Sequence, residues 1–131
     1  MSESLLLDTH VLLWYDTAPD RIPAPVRTRL QDQSIQVFVS AISALEIAIK
    51  FRLGKLPQAA AFMKQYDSLM TRYGFRELPL TAAVAISVAR LDTPHHDPFD
   101  RVLAAQALNL DVPLVTRDPA FSSVPNLRTI W

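Results

Sequence analysis

The chain has 131 residues, 13 Lys+Arg against 13 Asp+Glu, and 50% hydrophobic residues, a balance that excludes a disordered chain and withholds the basic footprint of a nucleic-acid-coating surface. With no Cys it excludes a disulfide scaffold. One compact soluble domain over residues 1–131 is expected; no basic and apolar leader follows Met1 and no run reaches the roughly 18 apolar residues of a spanning helix, so a cytoplasmic protein without a membrane span is expected.

In chain order, Ser4-Leu5-Leu6-Leu7 is a short continuous apolar run ending at Asp8-Thr9, the pattern of a strand buried on both faces of a parallel sheet. Residues 23–33 place Val26 and Leu30 four apart among charged residues, with Pro at the start, and predict a small amphipathic helix. Gln36-Val37-Phe38-Val39 predicts a strand that stops at Ser40 and passes into a helix over 41–50, ended by Gly54. Phe62, Tyr66, Leu69 and Met70 predict a helix over 59–73 closed by Gly74, then a short strand over 75–78. Thr81 is positioned to cap a helix over 82–91, and Asp97-Pro98 opens another that carries Val102, Leu103, Ala105, Gln106 and Leu108. Strands are expected over 113–116 and 127–131. Strands separated by helices imply right-handed crossovers, hence an α/β fold with a parallel sheet flanked by helices.

Ligands of such sheets bind beyond the carboxyl ends of the strands, so the residues just after each strand carry the chemistry. Asp8 and Thr9 follow the first strand, Ser40 the second, and Thr116-Arg117-Asp118 the run Pro113-Leu114-Val115; Glu46 and Asp100 lie on helices that should face the same edge. An acidic pocket of Asp8, Glu46, Asp100 and Asp118 is therefore expected. Converging carboxylates repel one another unless they protonate or a cation neutralises them, and an oxygen donor set selects Mg²⁺ or Mn²⁺. Paired ions of this kind suit phosphoryl chemistry without a His or Ser nucleophile.

Each acid also has a plainer reading. Asp8 and Asp118 suit turns or caps, the latter before Pro119; Glu46 stands four residues before Lys50, the favourable order for an ion pair; and Asp97 with Pro98 fits an N-cap. His95-His96 lacks further ligands nearby for a complete transition-metal site. Arg101, Arg117 and Lys50 neighbour the acids, as RNA phosphate contacts or as balancing charges. Trp14, Tyr15 and Trp131 read as packing residues rather than base-stacking platforms.

Four ordered segments, Leu5-Leu6-Leu7-Asp8-Thr9-His10, Ser40-Ala41-Ile42-Ser43-Ala44-Leu45-Glu46, Asp97-Pro98-Phe99-Asp100-Arg101 and Leu114-Val115-Thr116-Arg117-Asp118, together resemble the PIN domain, specifically VapC-type toxins of type II toxin–antitoxin systems. The resemblance implies a parallel sheet of about five strands with helices on both faces and a Mg²⁺- or Mn²⁺-dependent endoribonuclease that hydrolyses RNA with metal-activated water. It implies Asp8 as central metal ligand, Asp100 as second, Glu46 as ligand or base acting through water, Asp118 as outer ligand, and Asp97 as a further contributor. Thr9 and Thr116 would orient carboxylates or water through hydrogen bonds. A homodimer and a cognate VapB-like antitoxin are implied as well. The rival expectations are a catalytically silent PIN-like protein-binding module and a metal-dependent phosphoesterase or DNA nuclease.

Overall fold

The run Leu5-Leu6-Leu7 is apolar at every position because both faces of its strand are covered. In a computed structural model, which describes residues 3–131, it forms β1 (Ser4–Leu7) at the centre of a parallel sheet. The other strands are β2 (Gln36–Ser40), β3 (Arg76–Leu78), β4 (Leu114–Val115) and β5 (Thr129–Ile130), in the order β3-β2-β1-β4-β5. Side chains alternate across the sheet. Leu5, Leu7, Val37, Val39 and Val115 pack on one side with Val11, Leu12, Leu13, Ile47, Phe62 and Leu69. Leu6 and Leu114 pack on the other with Leu103, Ala104, Ala107 and Phe121. Burial on both sides makes the strands continuous hydrophobic runs rather than alternating ones.

Helices α1 (Thr9–Thr17), α2 (Ala24–Gln31), α3 (Ala41–Arg52), α4 (Ala59–Lys64) and α5 (Tyr66–Tyr73) contribute to the first layer, and α6 (Ala82–Ser87) and α7 (Pro98–Leu110) follow β3. Helix α1 is not among the elements expected from the sequence, which leave residues 10–22 unassigned. Two helical expectations also need correction. The segment 59–73 is two helices broken at Gln65 (φ −106°, ψ 12°), a one-residue interruption that a 3.6-residue periodicity does not register. The segment 82–91 is α-helical only through Ser87 and ends in a 3₁₀ turn over Val88–Arg90. Gly74 closes α5 with φ +70°, a left-handed position where a side chain would be strained.

The chain builds outward from β1 through β2 to β3, then returns to β4 on the opposite side of β1. The strand order therefore reverses between β1 and β4, and in open parallel sheets the crevice at such a reversal is where ligands bind. The register Leu7↔Val115 sets Asp8 beside Thr116 at its mouth.

Candidate active site

Asp8 occupies the N-cap position of α1, yet its side chain makes no cap hydrogen bond. The carboxylate instead accepts a 2.8 Å bond from the Thr116 hydroxyl across the strand reversal, while the Asp8 N–H donates to the Val115 carbonyl at 2.9 Å. Thr116 in turn accepts from the Asp118 N–H at 3.0 Å. Burial pushes the Asp8 carboxyl above the usual carboxylate range; Thr116, His10 and the Thr9 N–H pull it back, and Glu46 adds to the rise.

Glu46 reaches the pocket because α3 starts directly from β2, with Ser40 as N-cap accepting from the Ile42 N–H at 3.0 Å. Its side chain is 3% exposed. Glu46 Oε2 pairs with Lys50 Nζ at 2.5 Å, so the expected i,i+4 ion pair exists, but its acid is buried rather than solvated. Glu46 Oε1 has no partner among the described residues. A buried, unpartnered carboxylate oxygen costs free energy that a native fold rarely tolerates without a ligand to meet it. The net effect on Lys50 is upward: burial lowers it, but the Glu46 hydrogen bond and the charges of Glu46, Asp97 and Asp100 outweigh that loss.

Asp100 sits in the first turn of α7, its N–H bonded to the Asp97 carboxylate at 3.1 Å. Asp97 thus caps the helix, as the Asp-Pro pattern suggests, and through that cap fixes Asp100. Asp100 Oδ2 lies 2.7 Å from His95 Nε2. Burial, followed by the charges of Asp8, Asp97 and Glu46, raises the Asp100 carboxyl to about 7 against the lowering hydrogen bond of His95. The exposed Asp118 carboxylate accepts from the Ala120 N–H at 2.9 Å, capping a 3₁₀ turn. His95, Asp100 and Asp118 offer donor atoms that all lie within 4.8 Å of one another.

Asp8, Glu46 and Asp97 lie near enough to Asp100 for their charges to raise it, whereas the cluster of donor atoms within 4.8 Å joins Asp100 to Asp118 and His95 and does not include Asp8 or Glu46. The sequence offers His95 no further ligands nearby, but the fold supplies two, Asp100 and Asp118, and holds the His95 ring edge-on to Phe121 at 5.6 Å between ring centroids. His96 is exposed, and among the described residues no acid engages it. Three other assignments change. The Thr9 hydroxyl lies 2.8 Å from Ser43 Oγ and ties α1 to α3 rather than orienting a carboxylate. The Arg101 guanidinium donates to the carbonyls of Leu91, Thr93 and His95, at 3.3, 3.2 and 2.6 Å, and braces the loop that carries His95 instead of facing a substrate. Lys50 is committed to Glu46. Arg117 remains exposed at the edge of a cleft of about 300 Å³ shared with Asp8 and Asp118.

A parallel sheet with carboxylates at its strand reversal defines an α/β protein whose acids stand where such sheets take their ligands. The sequence matches the PIN domain over residues 5–127, and the chain belongs to that family. It is 27% identical over 131 residues to Ribonuclease VapC22 of Mycobacterium tuberculosis, covering 98% of each chain. Its fold is similar to that in VapBC2 from Rickettsia felis, solved bound to a DNA fragment from the promoter, with TM-score 0.72, 17% identity and 97% of each chain covered. It is also similar to VapBC-1 from nontypeable Haemophilus influenzae, with TM-score 0.67, 19% identity, and 97% of this chain and 96% of that one covered.

Proposed function

We propose that this PIN-domain chain, acting as one unit over residues 1–131, is the endoribonuclease toxin of a toxin–antitoxin pair. It hydrolyses RNA phosphodiesters in the cytoplasm, as a homodimer, and a VapB-like antitoxin silences it. The likeness to a ribonuclease and to VapBC complexes supports the substrate and the partner. The observation that carries the chemistry is the orphaned, buried Glu46 Oε1 beside two acids, Asp8 and Asp100, that are both raised above the usual carboxylate range.

A divalent cation held here would relieve both costs, by offering the unpartnered oxygen a partner and neutralising the repulsion. Carboxylate oxygens suit Mg²⁺ or Mn²⁺, and the nearby His95 imidazole is compatible with Mn²⁺. Asp8, Glu46, Asp100 and Asp118 would hold the cation, with Asp97 acting through the helix cap. When bound, it would activate water and stabilise the charge that develops on the phosphodiester. The chain's own residues supply the geometry. Thr116 fixes the Asp8 carboxylate, His95 fixes Asp100, and Lys50 neutralises one Glu46 oxygen while leaving the other free.

Purified protein should cut RNA in Mn²⁺ or Mg²⁺, stop in EDTA and leave DNA intact; equal cleavage of DNA would make it a general phosphoesterase, and cleavage undiminished in EDTA would remove the metal. His95→Ala should lower the cleavage rate about ten- to hundredfold, the usual loss when a residue orienting a metal ligand is removed. It should also move the acidic limb of the pH–rate profile upward, since the His95 bond now holds Asp100 down. A purely structural His95 would leave that limb in place.

A further inference from the structure

The cleft beside the acids carries a group of side chains that the carboxylate chemistry does not use. It is lined by Asp8, His10, Trp14, Arg117, Asp118 and Pro119. Two guanidinium groups lie over the same indole: Arg21 at 5.6 Å and Arg117 at 6.0 Å from the Trp14 ring centroid. Both arginines are exposed, and among the described residues neither guanidinium forms an ion pair or a hydrogen bond. Arg52, Arg72, Arg76 and Arg90 are exposed as well, so what sets Arg21 and Arg117 apart is their shared place over one indole at the edge of the cleft. His10 and Trp131 flank Trp14 at 5.9 and 6.1 Å between ring centroids.

An aromatic platform bearing unpaired guanidinium groups, continuous with a phosphate-cutting site, has the chemistry of a nucleotide subsite. At 5.6 and 6.0 Å from the ring centroid both guanidinium groups lie at the outer limit of a cation–π contact, which leaves their donors free to turn to a phosphate and does not close the indole face to a base. An indole takes any base, and only an unstacked one. The formal charge of the whole chain is zero, so RNA must be drawn by a local feature of this kind rather than by a general basic surface.

We propose that this cleft holds the nucleotide adjoining the cleaved phosphodiester of a single-stranded RNA, with its phosphate on Arg117 and Arg21 and its base against Trp14. The assignment rests on the ribonuclease reading and adds to it the strandedness of the substrate and the residues that seat it. It also reverses the expectation that Trp14 serves packing alone. Trp14 does pack against the core from its half-buried position, so one side of it is structural and the other faces the cleft.

The test uses the full-length protein with Mn²⁺. Arg117→Ala and Arg21→Ala change exposed side chains, so folding is not at stake. Each should raise KM for a short single-stranded RNA about tenfold with kcat nearly unchanged, and lower the salt slope of binding by about 0.7, the value of one phosphate contact on a single strand. In a Trp131→Phe protein, Trp14 is the sole indole. Rapid mixing with single-stranded RNA should quench its fluorescence before cleavage, and a duplex of the same sequence should not. Wild-type cleavage that Asp100→Asn abolishes establishes the ribonuclease reading by itself. If KM, salt slope and fluorescence stay unchanged alongside that cleavage, the subsite alone is overturned. If Arg117→Ala weakens binding of a VapB-like antitoxin while KM for RNA is unaltered, the cleft is a protein-docking surface, and the proposal fails.

Discussion

Asp100→Asn is expected to lower RNA cleavage about a thousandfold or more while making the metal-free protein more stable at pH 8. The two effects share one cause. Asp100 is raised to about 7, first by its burial and then by the charges of Asp8, Asp97 and Glu46. An acid whose folded-state value lies above its unfolded value contributes stability that is fully present below the unfolded value and is lost as pH rises through the folded one. For Asp100 that window runs from about 4 to about 7, and at pH 8 its charge is held at a cost. The full shift corresponds to about 4 kcal/mol, and solvent screening in an open pocket reduces it to about 1–2 kcal/mol. Asparagine removes the charge and keeps an oxygen for His95, so thermal unfolding in EDTA should shift upward. The same substitution takes away an anionic cation ligand, and catalysis by a bound cation loses several kcal/mol with it. Asp8→Asn should behave alike, since burial raises that carboxyl too. A variant that cleaves at the wild-type rate, or one that is destabilised in EDTA, would refute this account of the pocket.

Cation binding and cleavage should both rise steeply between pH 6 and 8. Protons and the cation compete for the same carboxylates, so metal binding releases protons. At limiting Mn²⁺ the rate should climb about tenfold per pH unit below the Asp100 midpoint near 7 and level off above it. At pH 8, Mn²⁺ at about a hundred times its Kd should stabilise the fold by about 2.7 kcal/mol. For a chain of this length that corresponds to a Tm increase of about 8–10 °C. Asp100→Asn should lose most of the increase. A Tm indifferent to Mn²⁺, or a rate flat from pH 6 to 8, would separate the carboxylates from any metal role. The stability measurement in EDTA is independent of the titration, because it reads the protein without cation and the titration reads the cation.

The strand-end logic explains why so much of the site could be read from sequence. Leu5-Leu6-Leu7 is apolar throughout because helices cover both sides of β1, and the first polar residue after it must stand where the sheet ends. The same holds for Ser40, the last residue of β2, and for Thr116 just after β4. Asp97-Pro98 marked a helix start and hence the place of Asp100, two residues inside the first turn. The i,i+4 spacing of Glu46 and Lys50 correctly foretold their ion pair but gave no hint that the acid would be buried. Local pattern fixes which way a side chain leaves its element, and burial depends on what other elements lay against it.

The sequence by itself determined the alternation of strands and helices, the parallel sheet, and the set of acids at its carboxyl edge, because these follow from periodicity and from the caps next to each element. Tertiary structure alone decided the partners. Thr116 meets Asp8 across 108 residues and Thr9 meets Ser43 across 34, separations over which no local spacing rule applies. It made His95 the neighbour of Asp100, turned Arg101 into a brace for the loop, and set Arg21 and Arg117 over Trp14. Hydrogen bonds and stacked cations are short-ranged and directional, so they exist only once the packing of the sheet and its helices has brought distant segments into place.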